Sequence, residues 1–351
     1  MKLAAIICEF NPLHTGHKRL IDYAKSLADK VVCIMSGNFT QRGLPACADK
    51  YSRAKHAVLS GADLVVELPT VYATASAENF AYCGIAIANK LGADCLVFGS
   101  ECGSIDELKK CIDVINDAET DKRIQQEVQK GVSYPKAIAL ATGLELLSKP
   151  NNVLAIEYLK ALRNTHSTIT PFTLTREDNY NAEEPQQYAS SMALRTNKQL
   201  RNKYTFDYVS QDIDDSIVEK YYQLVPSILA IASNEQLEQA EGVTEGLHNR
   251  IFKADKTKGY EHMIEEIKTK RYTRLKIQRV VLNQIIGITK DVVSNIKNNQ
   301  PHIKVLAVKS SAVALLQNIE NDADEITLKA DRLYATLSGR TAPTKLIKIN
   351  V

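Results

Sequence analysis

The sequence predicts an α/β fold, with a parallel sheet flanked by helices in its first part and a mainly α-helical second part. Short apolar runs alternate with runs of helical periodicity up to about residue 100, which is the pattern of successive βα units. Gly61-Ala62-Asp63 and Gly92-Ala93-Asp94 mark two equivalent helix-to-strand turns. Strand signal almost disappears after residue 205, so we predict domains at 1–205 and 206–351.

The first βαβ unit comprises strand Lys2–Cys8, helix Thr15–Ala28 and strand Val31–Ser36. Asn11-Pro12 breaks the first strand, and Thr15 is predicted to cap the helix. A parallel connection of this kind is expected to be right-handed.

The remaining elements of the first part follow from the same patterns. We predict strands at Leu64–Leu68, Cys95–Phe98 and Thr168–Thr175, and helices at Asp49–Leu59, Ala77–Lys90, Ile105–Asp117, Asp121–Lys130, Pro135–Ala141 and Val153–Arg163. Asn151-Asn152 is predicted to cap the last of these helices. The polar stretch Glu177–Gln187 is predicted to be a mobile loop, and Ser190 to open a further helix.

The second part is predicted to contain one short strand, Ile303–Val308. Its predicted helices are Ile217–Leu224, Pro226–Ala232, Leu247–Ala254, His262–Lys268, Arg274–Ile286 and Ser311–Ile319.

The composition is that of a globular protein of the cytoplasm. The 351 residues are 44% hydrophobic and 24% charged, and no apolar run approaches the ~20 residues of a membrane span. The chain enters a strand directly at its N-terminus, so we expect no signal peptide. Seven cysteines, an odd number, indicate reduced core thiols. Without a Cys-x-x-Cys pair, no zinc site is expected.

His14-Thr15-Gly16-His17 lies where the first strand turns into the first helix. The free N–H groups and the dipole of a helix start favour an anion, and Gly16 lets a ligand approach the backbone. Two imidazoles at this place suit a nucleotide α-phosphate and the charge that develops when it is attacked. The alternative is two histidines in an ordinary surface loop.

Ser190-Ser191 with Arg195 one turn later forms a second possible oxyanion site. Its alternative is a plain serine cap with a surface arginine. Arg42, Lys50 and Arg53 are further possible partners of a phosphate or carboxylate, or else solvated helix charges.

Residues 245–300 concentrate positive charge. They hold twelve Lys and Arg against six Asp and Glu, a net charge of +6, whereas the whole chain has +3. Arg271 to Arg279 is the densest part, and Tyr272 could stack on a base or pack in the core. The segment is a candidate nucleic-acid surface, and a solvated helix face is the alternative.

Together these residues resemble two nested families. The His-x-Gly-His joint and the Ser-Ser-x-x-x-Arg element resemble the nucleotidyltransferase superfamily, which implies a Rossmann-like nucleotidyltransferase domain. Longer motifs resemble the bacterial tRNA(Met) cytidine acetate ligase family: 9-EFNPLHTGH-17, 36-SGNFTQRG-43, 61-GADLVVELP-69, 98-FGSE-101, 151-NNVLAIEY-158, 245-EGL-247 and 271-RYTR-274.

The resemblance implies an enzyme that activates acetate with ATP to acetyl-adenylate and acetylates N4 of the wobble cytidine of elongator tRNA(Met). ATP is then a substrate, with Mg²⁺ arriving on its phosphates and no tightly bound cofactor. His14 and His17 are the expected catalytic residues. The expected ATP-binding residues, all before residue 206, are Ile7, Cys8, Glu9, Phe10, Asn11, Pro12, Leu13, His14, Thr15, Gly16, His17, Lys18, Arg19, Leu20, Gly99, Asn152, Arg176, Ser191 and Arg195.

The partners implied are tRNA, acetate and ATP, with no membrane. The expected tRNA-binding residues are Arg271, Arg274, Lys276 and Arg279. Two alternatives stay open: an adenylyltransferase acting on a small phosphorylated metabolite, and a non-enzymatic RNA-binding protein with a relict nucleotide fold.

Overall fold

A central sheet organises the computed structural model, which describes residues 1–132, 134–176, 190–297, 299–317, 319–340 and 346–350. Its strands are β1 (Leu3–Cys8), β2 (Lys30–Ser36), β3 (Leu64–Leu68), β4 (Cys95–Ser100), β5 (Thr170–Thr175), β6 (Lys304–Lys309) and β7 (Ile347–Ile349). All of the predicted strands are confirmed, and β7 is an additional one.

The order of the strands in the sheet is β5-β4-β1-β2-β3-β6-β7. The first five strands are parallel, β6 pairs antiparallel with β3, and β7 is parallel to β6. This confirms the predicted α/β class with a predominantly parallel sheet. Because β6 and β7 extend that sheet, both parts of the chain share it, and the division into 1–205 and 206–351 stays a prediction.

Helices cover the sheet and make up most of the second part. In the first part they are α1 (Thr15–Leu27), α2 (Lys50–Leu59), α3 (Thr70–Ala73), α4 (Ala77–Lys90), α5 (Ile105–Ile115), α6 (Ala118–Gln129), α7 (Tyr134–Thr142), α8 (Pro150–Asn164), α9 (Ser191–Thr196) and α10 (Lys198–Tyr204). In the second part they are α11 (Asp207–Ser210), α12 (Ile217–Ile231), α13 (Asn234–Gln239), α14 (Leu247–Lys253), α15 (Tyr260–Ile267), α16 (Arg274–Ile286), α17 (Lys290–Lys297) and α18 (Glu325–Ser338).

Two predictions for helices of the second part are wrong. Pro226 was expected to separate two helices, but it lies inside α12. Pro226 is buried, so its packing offsets the backbone hydrogen bond that a proline removes. The helix predicted at Ser311–Ile319 is a 3₁₀-helix over Ser310–Leu316. The predicted loop at Glu177–Gln187 lies outside the described residues.

The core lies on both faces of the sheet, as expected for parallel strands covered by helices. Ala5 and Ile7 of β1 face a large apolar cluster that continues into the helices of the second part. Ala4 and Ile6 face a smaller cluster with α1 and α2. The seven cysteines carry free thiols, five of them buried. In the parts of the chain that the structure describes, no helix is long and apolar enough to cross a membrane.

A buried ion-pair cluster joins the C-terminal helix to the sheet. Lys50 Nζ lies 2.7 Å from Glu67 Oε2 on β3 and 2.6 Å from Asp331 Oδ2 on α18. The amide of Asn38 also donates to Asp331 Oδ1, at 2.9 Å. Lys50 therefore binds carboxylates of its own chain and is not available to a substrate.

Replacing Lys50 with methionine should destabilise the protein strongly. The Lys50→Met variant leaves the Glu67 carboxylate buried without its cation, which costs about 3–5 kcal/mol when one partner of a buried pair is removed. Urea unfolding at neutral pH measures this difference. The exposed lysine of α17 provides the control, since Lys290→Met should change the free energy of unfolding by less than about 0.5 kcal/mol. Equal stability of the two variants would contradict a structural role for the cluster.

Candidate active site

The turn from β1 to α1 forms the centre of the site. His14, not Thr15 as predicted, is the N-cap of α1. Its Nδ1 accepts a hydrogen bond from the backbone N–H of Gly16 at 3.1 Å, and its carbonyl accepts from His17 N at 2.9 Å. An imidazole therefore caps this helix in place of the usual serine or threonine side chain. This contact fixes the tautomer of His14, because an accepting Nδ1 leaves the proton on Nε2.

The two histidine rings lie together and are uncharged. Their centroids are 3.7 Å apart, and Phe10 packs edge-on against His17. Burial and the nearby Arg176 guanidinium lower the pKa of His14 to about 3. Burial, His14 and Arg176 together hold the pKa of His17 well below its usual value. At neutral pH both imidazoles are thus neutral hydrogen-bonding groups rather than cations.

Each histidine has a buried nitrogen that lacks a protein partner. His14 Nε2 and His17 Nδ1 make no hydrogen bond to the residues that the structure describes. Buried polar atoms in folded proteins are nearly always paired with protein, water or a ligand. The pair therefore has hydrogen-bonding capacity left for a bound molecule.

The start of α9 lies directly on this turn. Ser190 caps α9, Ser191 Oγ donates to Pro12 O at 3.3 Å, and the guanidinium of Arg195 donates to Asn11 O. The Ser-Ser-x-x-x-Arg element and the His-x-Gly-His turn are about 180 residues apart in sequence, and the structure brings them together.

The ends of β4 and β5 form the other side of the site. Arg176 N donates to Ser100 O at 2.8 Å, so the residue directly follows the paired strands. A Cβ added to Gly99 would lie 3.2 Å from Cγ of Arg176. Gly99 therefore leaves room for the Arg176 side chain to pass over the end of β4.

Asn152 lies beside the site and does not line it. The helix starts at Pro150 with Lys149 as N-cap, so the predicted cap at Asn151-Asn152 is wrong. Asn152 is fully buried, and its Oδ1 accepts from the backbone N–H groups of Glu101 and Cys102 at 2.9 and 3.1 Å. Its side chain thus holds the loop after β4 onto α8.

A cavity of about 330 Å³ opens at the carboxyl ends of these strands. Open α/β sheets bind their ligands at this edge. The predicted residues that line the cavity are Ile7, Cys8, Glu9, Phe10, Asn11, His17, Leu20, Gly99, Arg176, Ser191 and Arg195. The predicted residues absent from its wall are Pro12, Leu13, His14, Thr15, Gly16, Lys18, Arg19 and Asn152.

Several residues of the wall were not among the expected ATP-binding residues. Arg42 lines the cavity, whereas Lys50 and Arg53 are buried elsewhere in contacts with protein atoms. The wall also includes Gln41, Phe80, Asn151, Tyr158, Leu275 and Arg279. Because Leu275 and Arg279 belong to α16, the site is not confined to residues before 206.

Two arginines of the basic segment form ion pairs with glutamates of the same segment. Arg271 pairs with Glu245, its Nη2 lying 2.6 Å from Oε1. Arg274 lies 2.5 Å from a carboxylate oxygen of Glu261 and 3.3 Å from one of Glu265. Both arginine side chains, Arg271 and Arg274, remain partly exposed.

The other residues of this segment take different positions. Tyr272 is buried, with its hydroxyl donating to Thr244 O at 2.9 Å, so it packs in the core. Lys276 Nζ donates to Thr244 Oγ1 at 3.0 Å. Arg279 lies at the cavity, with Nη1 donating to Ala75 O at 3.0 Å.

Comparison with known sequences gives consistent matches along the chain. A family model described as HIGH Nucleotidyl Transferase matches residues 1–338. Among curated relatives, the tRNA(Met) cytidine acetate ligase of Acetivibrio thermocellus is 36% identical, covering 91% of this chain and 86% of that protein. The ligase of the same name from Caldicellulosiruptor bescii is also 36% identical, with 93% and 87% covered.

Comparison with solved structures gives the same architecture. Thermotoga maritima TmcAL bound with alpha-thio ATP superposes with a TM-score of 0.84 at 24% identity, and its apo form with 0.86 at 23%. Each comparison covers 100% of both chains. At this level of identity the likeness establishes the shared fold.

The neutral histidines predict that the protein loses stability in mild acid. The unfolded chain protonates His14 near pH 6.5, whereas the folded state, with a pKa of about 3, does not. This contribution to stability is complete above pH 6.5 and is lost as the pH falls towards 3. At pH 5 the loss amounts to roughly 2 kcal/mol for one such histidine.

The His14→Asn variant tests this, because asparagine keeps an acceptor for Gly16 N but does not titrate. Urea unfolding at pH 7.5 and pH 5 should show a decline smaller than that of the wild type by roughly 2 kcal/mol. The His262→Asn variant changes an exposed histidine and should decline like the wild type. An unchanged decline in His14→Asn would mean that His14 is protonated in the folded protein.

Proposed function

The chain belongs to the HIGH nucleotidyl transferase family and, within it, to the tRNA(Met) cytidine acetate ligases, and we propose that it acetylates elongator tRNA(Met) in the cytoplasm. In the first step, an acetate oxygen attacks the α-phosphorus of ATP, the bond to the β-phosphate breaks, and pyrophosphate leaves. In the second, N4 of the wobble cytidine attacks the acetyl carbon of acetyl-adenylate. AMP leaves, N4 loses a proton, and N4-acetylcytidine results.

The observation that carries this proposal is the pair of neutral imidazoles at the start of α1, with His14 buried and His17 half-buried at the cavity. An N–H donor that is fixed in a water-poor site stabilises developing phosphate charge without having to reorganise. The backbone N–H groups and dipole of α1 add to this effect. We assign the α-phosphate to His14 and His17.

Other residues of the site are assigned to the remaining parts of ATP. Ser191 and Arg195, held on the Asn11-Pro12 loop, are assigned to the departing pyrophosphate. Gly99 and Arg176 are assigned to the nucleoside side of the cavity. Asn152 contributes indirectly, through the loop that its side chain holds in place.

Mg²⁺ is proposed to enter with ATP rather than to occupy a protein site. Among the described residues that line the cavity, Glu9 is the single carboxylate, and its Oε1 accepts from Gln41 N at 2.8 Å. Such a wall suits an ion that keeps its ligands on phosphates and water. The ion would neutralise phosphate charge while the residues of this chain orient the reacting groups.

The second part of the chain is proposed to bind the tRNA, with Arg271, Arg274 and Lys276 on its outer surface. Positive residues that contact phosphates position a nucleic acid without reading its sequence. The glutamates beside these arginines limit their attraction for RNA. The division of labour between 1–205 and 206–351 forms part of this proposal.

Removal of either imidazole should slow acetyl-adenylate formation severely. His14→Ala and His17→Ala each remove a donor to the α-phosphate, and the loss of one such donor typically costs ~10²–10³ in rate. Acetate-dependent exchange of labelled pyrophosphate into ATP, without tRNA, measures the step directly. The His262→Ala variant should behave like the wild type. Near-normal exchange by either active-site variant would remove that histidine from the mechanism.

The outer arginines should govern tRNA affinity. Replacing both Arg271 and Arg274 with alanine should weaken binding and flatten its salt dependence by a slope of ~0.7–0.9 for each lost phosphate contact. Binding of elongator tRNA(Met) at several salt concentrations measures both quantities, while a thermal melt verifies folding.

The carboxylate beside Arg274 gives a matched variant with the opposite expectation. Glu261→Gln removes the shorter of the two carboxylate contacts of Arg274 and should strengthen tRNA binding. Wild-type affinity at every salt concentration in a folded double-alanine variant would exclude this surface from tRNA binding.

A further inference from the structure

Arg279 differs from the other arginines of the basic segment in where it lies and what it contacts. Arg271 and Arg274 pair with glutamates on the outer surface, whereas Arg279 lines the cavity of the site. Its Nη1 donates to the carbonyl of Ala75, a neutral acceptor. Among the residues that the structure describes, no carboxylate forms an ion pair with it.

The guanidinium is held at the cavity by packing of the backbone behind it. Gly43 has a φ of +71°, and a Cβ at this position would lie 2.7 Å from the backbone nitrogen of Arg279 and from the carbonyl of Gln278. The loop that follows β2 thus lies against α16 at the residue that carries the guanidinium. The carbonyl of Ala75, just before α4, accepts a hydrogen bond from one nitrogen of the Arg279 guanidinium.

The strand order locates Arg279 relative to the rest of the site. Gly99 and Arg176 stand at the ends of β4 and β5, on one side of β1. The loop after β2, against which Arg279 lies, is on the other side of β1. Arg279 therefore approaches the histidine turn from the side opposite to the groups assigned to the nucleoside.

The surroundings of Arg279 suit a small organic acid. Ala77, Phe80 and Leu275 line the same cavity and provide apolar surface. A guanidinium binds a carboxylate through two parallel hydrogen bonds, and it remains charged even though burial lowers its pKa. In such a site the methyl group of acetate contacts the apolar side chains, and its carboxylate pairs with the guanidinium.

We propose that Arg279 binds the carboxylate of the acid substrate and presents it to the α-phosphate of ATP. This assignment rests on the proposed function, since it takes acetate to be the attacking group. It also means that α16, from the second part of the chain, completes the site of adenylate formation. Arg279 would then be a substrate-binding residue and not a part of the outer tRNA surface.

The test is acetate-dependent pyrophosphate exchange at varied acetate and at varied ATP, with tRNA omitted. For Arg279→Gln we expect the KM for acetate to rise about 10- to 100-fold, because a charge-assisted contact is lost. The KM for ATP should stay within about twofold. Arg279→Lys should raise the acetate KM by a smaller factor, since a point charge replaces the two-pronged contact. The exposed Arg332 of α18 supplies the control Arg332→Gln, which should leave both constants unchanged.

Three results would overturn the assignment. A raised KM for ATP with an unchanged KM for acetate would mean that Arg279 binds the nucleotide phosphates. Unchanged values of both constants would mean that it binds neither substrate. If Arg279→Gln melts below the assay temperature, Arg279→Lys decides, and a wild-type acetate KM in that variant would contradict the proposal. Absence of acetate-dependent exchange in the wild type would instead refute the proposed function itself, and with it this assignment.

Discussion

The loops of the site depend on one buried guanidinium. Arg53 of α2 is fully buried, and it donates to the carbonyls of Ala48 at 2.9 Å, Glu9 at 2.6 Å and Ser36 at 3.1 Å, and also to Gly37. Glu9 begins the loop that leads to His14, and Gly37 begins the loop that leads to Arg42. The planar fork of an arginine offers donors in several directions, which a lysine does not. A single side chain thus fixes the relative position of the two loops that follow β1 and β2.

The second part of the chain completes this arrangement. Asp331 of α18 joins Lys50 in the buried cluster, and Tyr334 of the same helix donates to Ala46 O at 3.0 Å. Gly43 in turn packs on the backbone of α16. The loop after β2 is therefore held between α2 on one side and helices of the second part on the other. A movement of α16 would also move this wall of the cavity, because closely packed backbones are nearly incompressible.

Local sequence patterns predicted most of the fold and the centre of the site. The alternation of apolar runs with helical periodicity gave the strands, and His14 and His17 stood out by their place between a strand and a helix. The cap at Thr15 was wrong because capping preferences rank side chains by frequency, whereas here an imidazole accepts the Gly16 N–H. The position of Arg279 at the cavity was not predicted, because charge density carries no information on contacts 236 residues away, where Gly43 meets α16.

The distribution of charge within the site follows from the reaction proposed for it. Acetate and the α-phosphate are both anions, so their approach requires positive charge near each of them. Cationic imidazoles would repel each other at a ring separation of 3.7 Å, and burial further disfavours their charged forms. In the proposed reaction the histidines consequently act as neutral donors at the reacting phosphorus, while arginines on opposite sides of β1 supply the positive charge. Since a guanidinium keeps its proton when it is buried and an imidazole does not, these two residue types cannot exchange roles at this site.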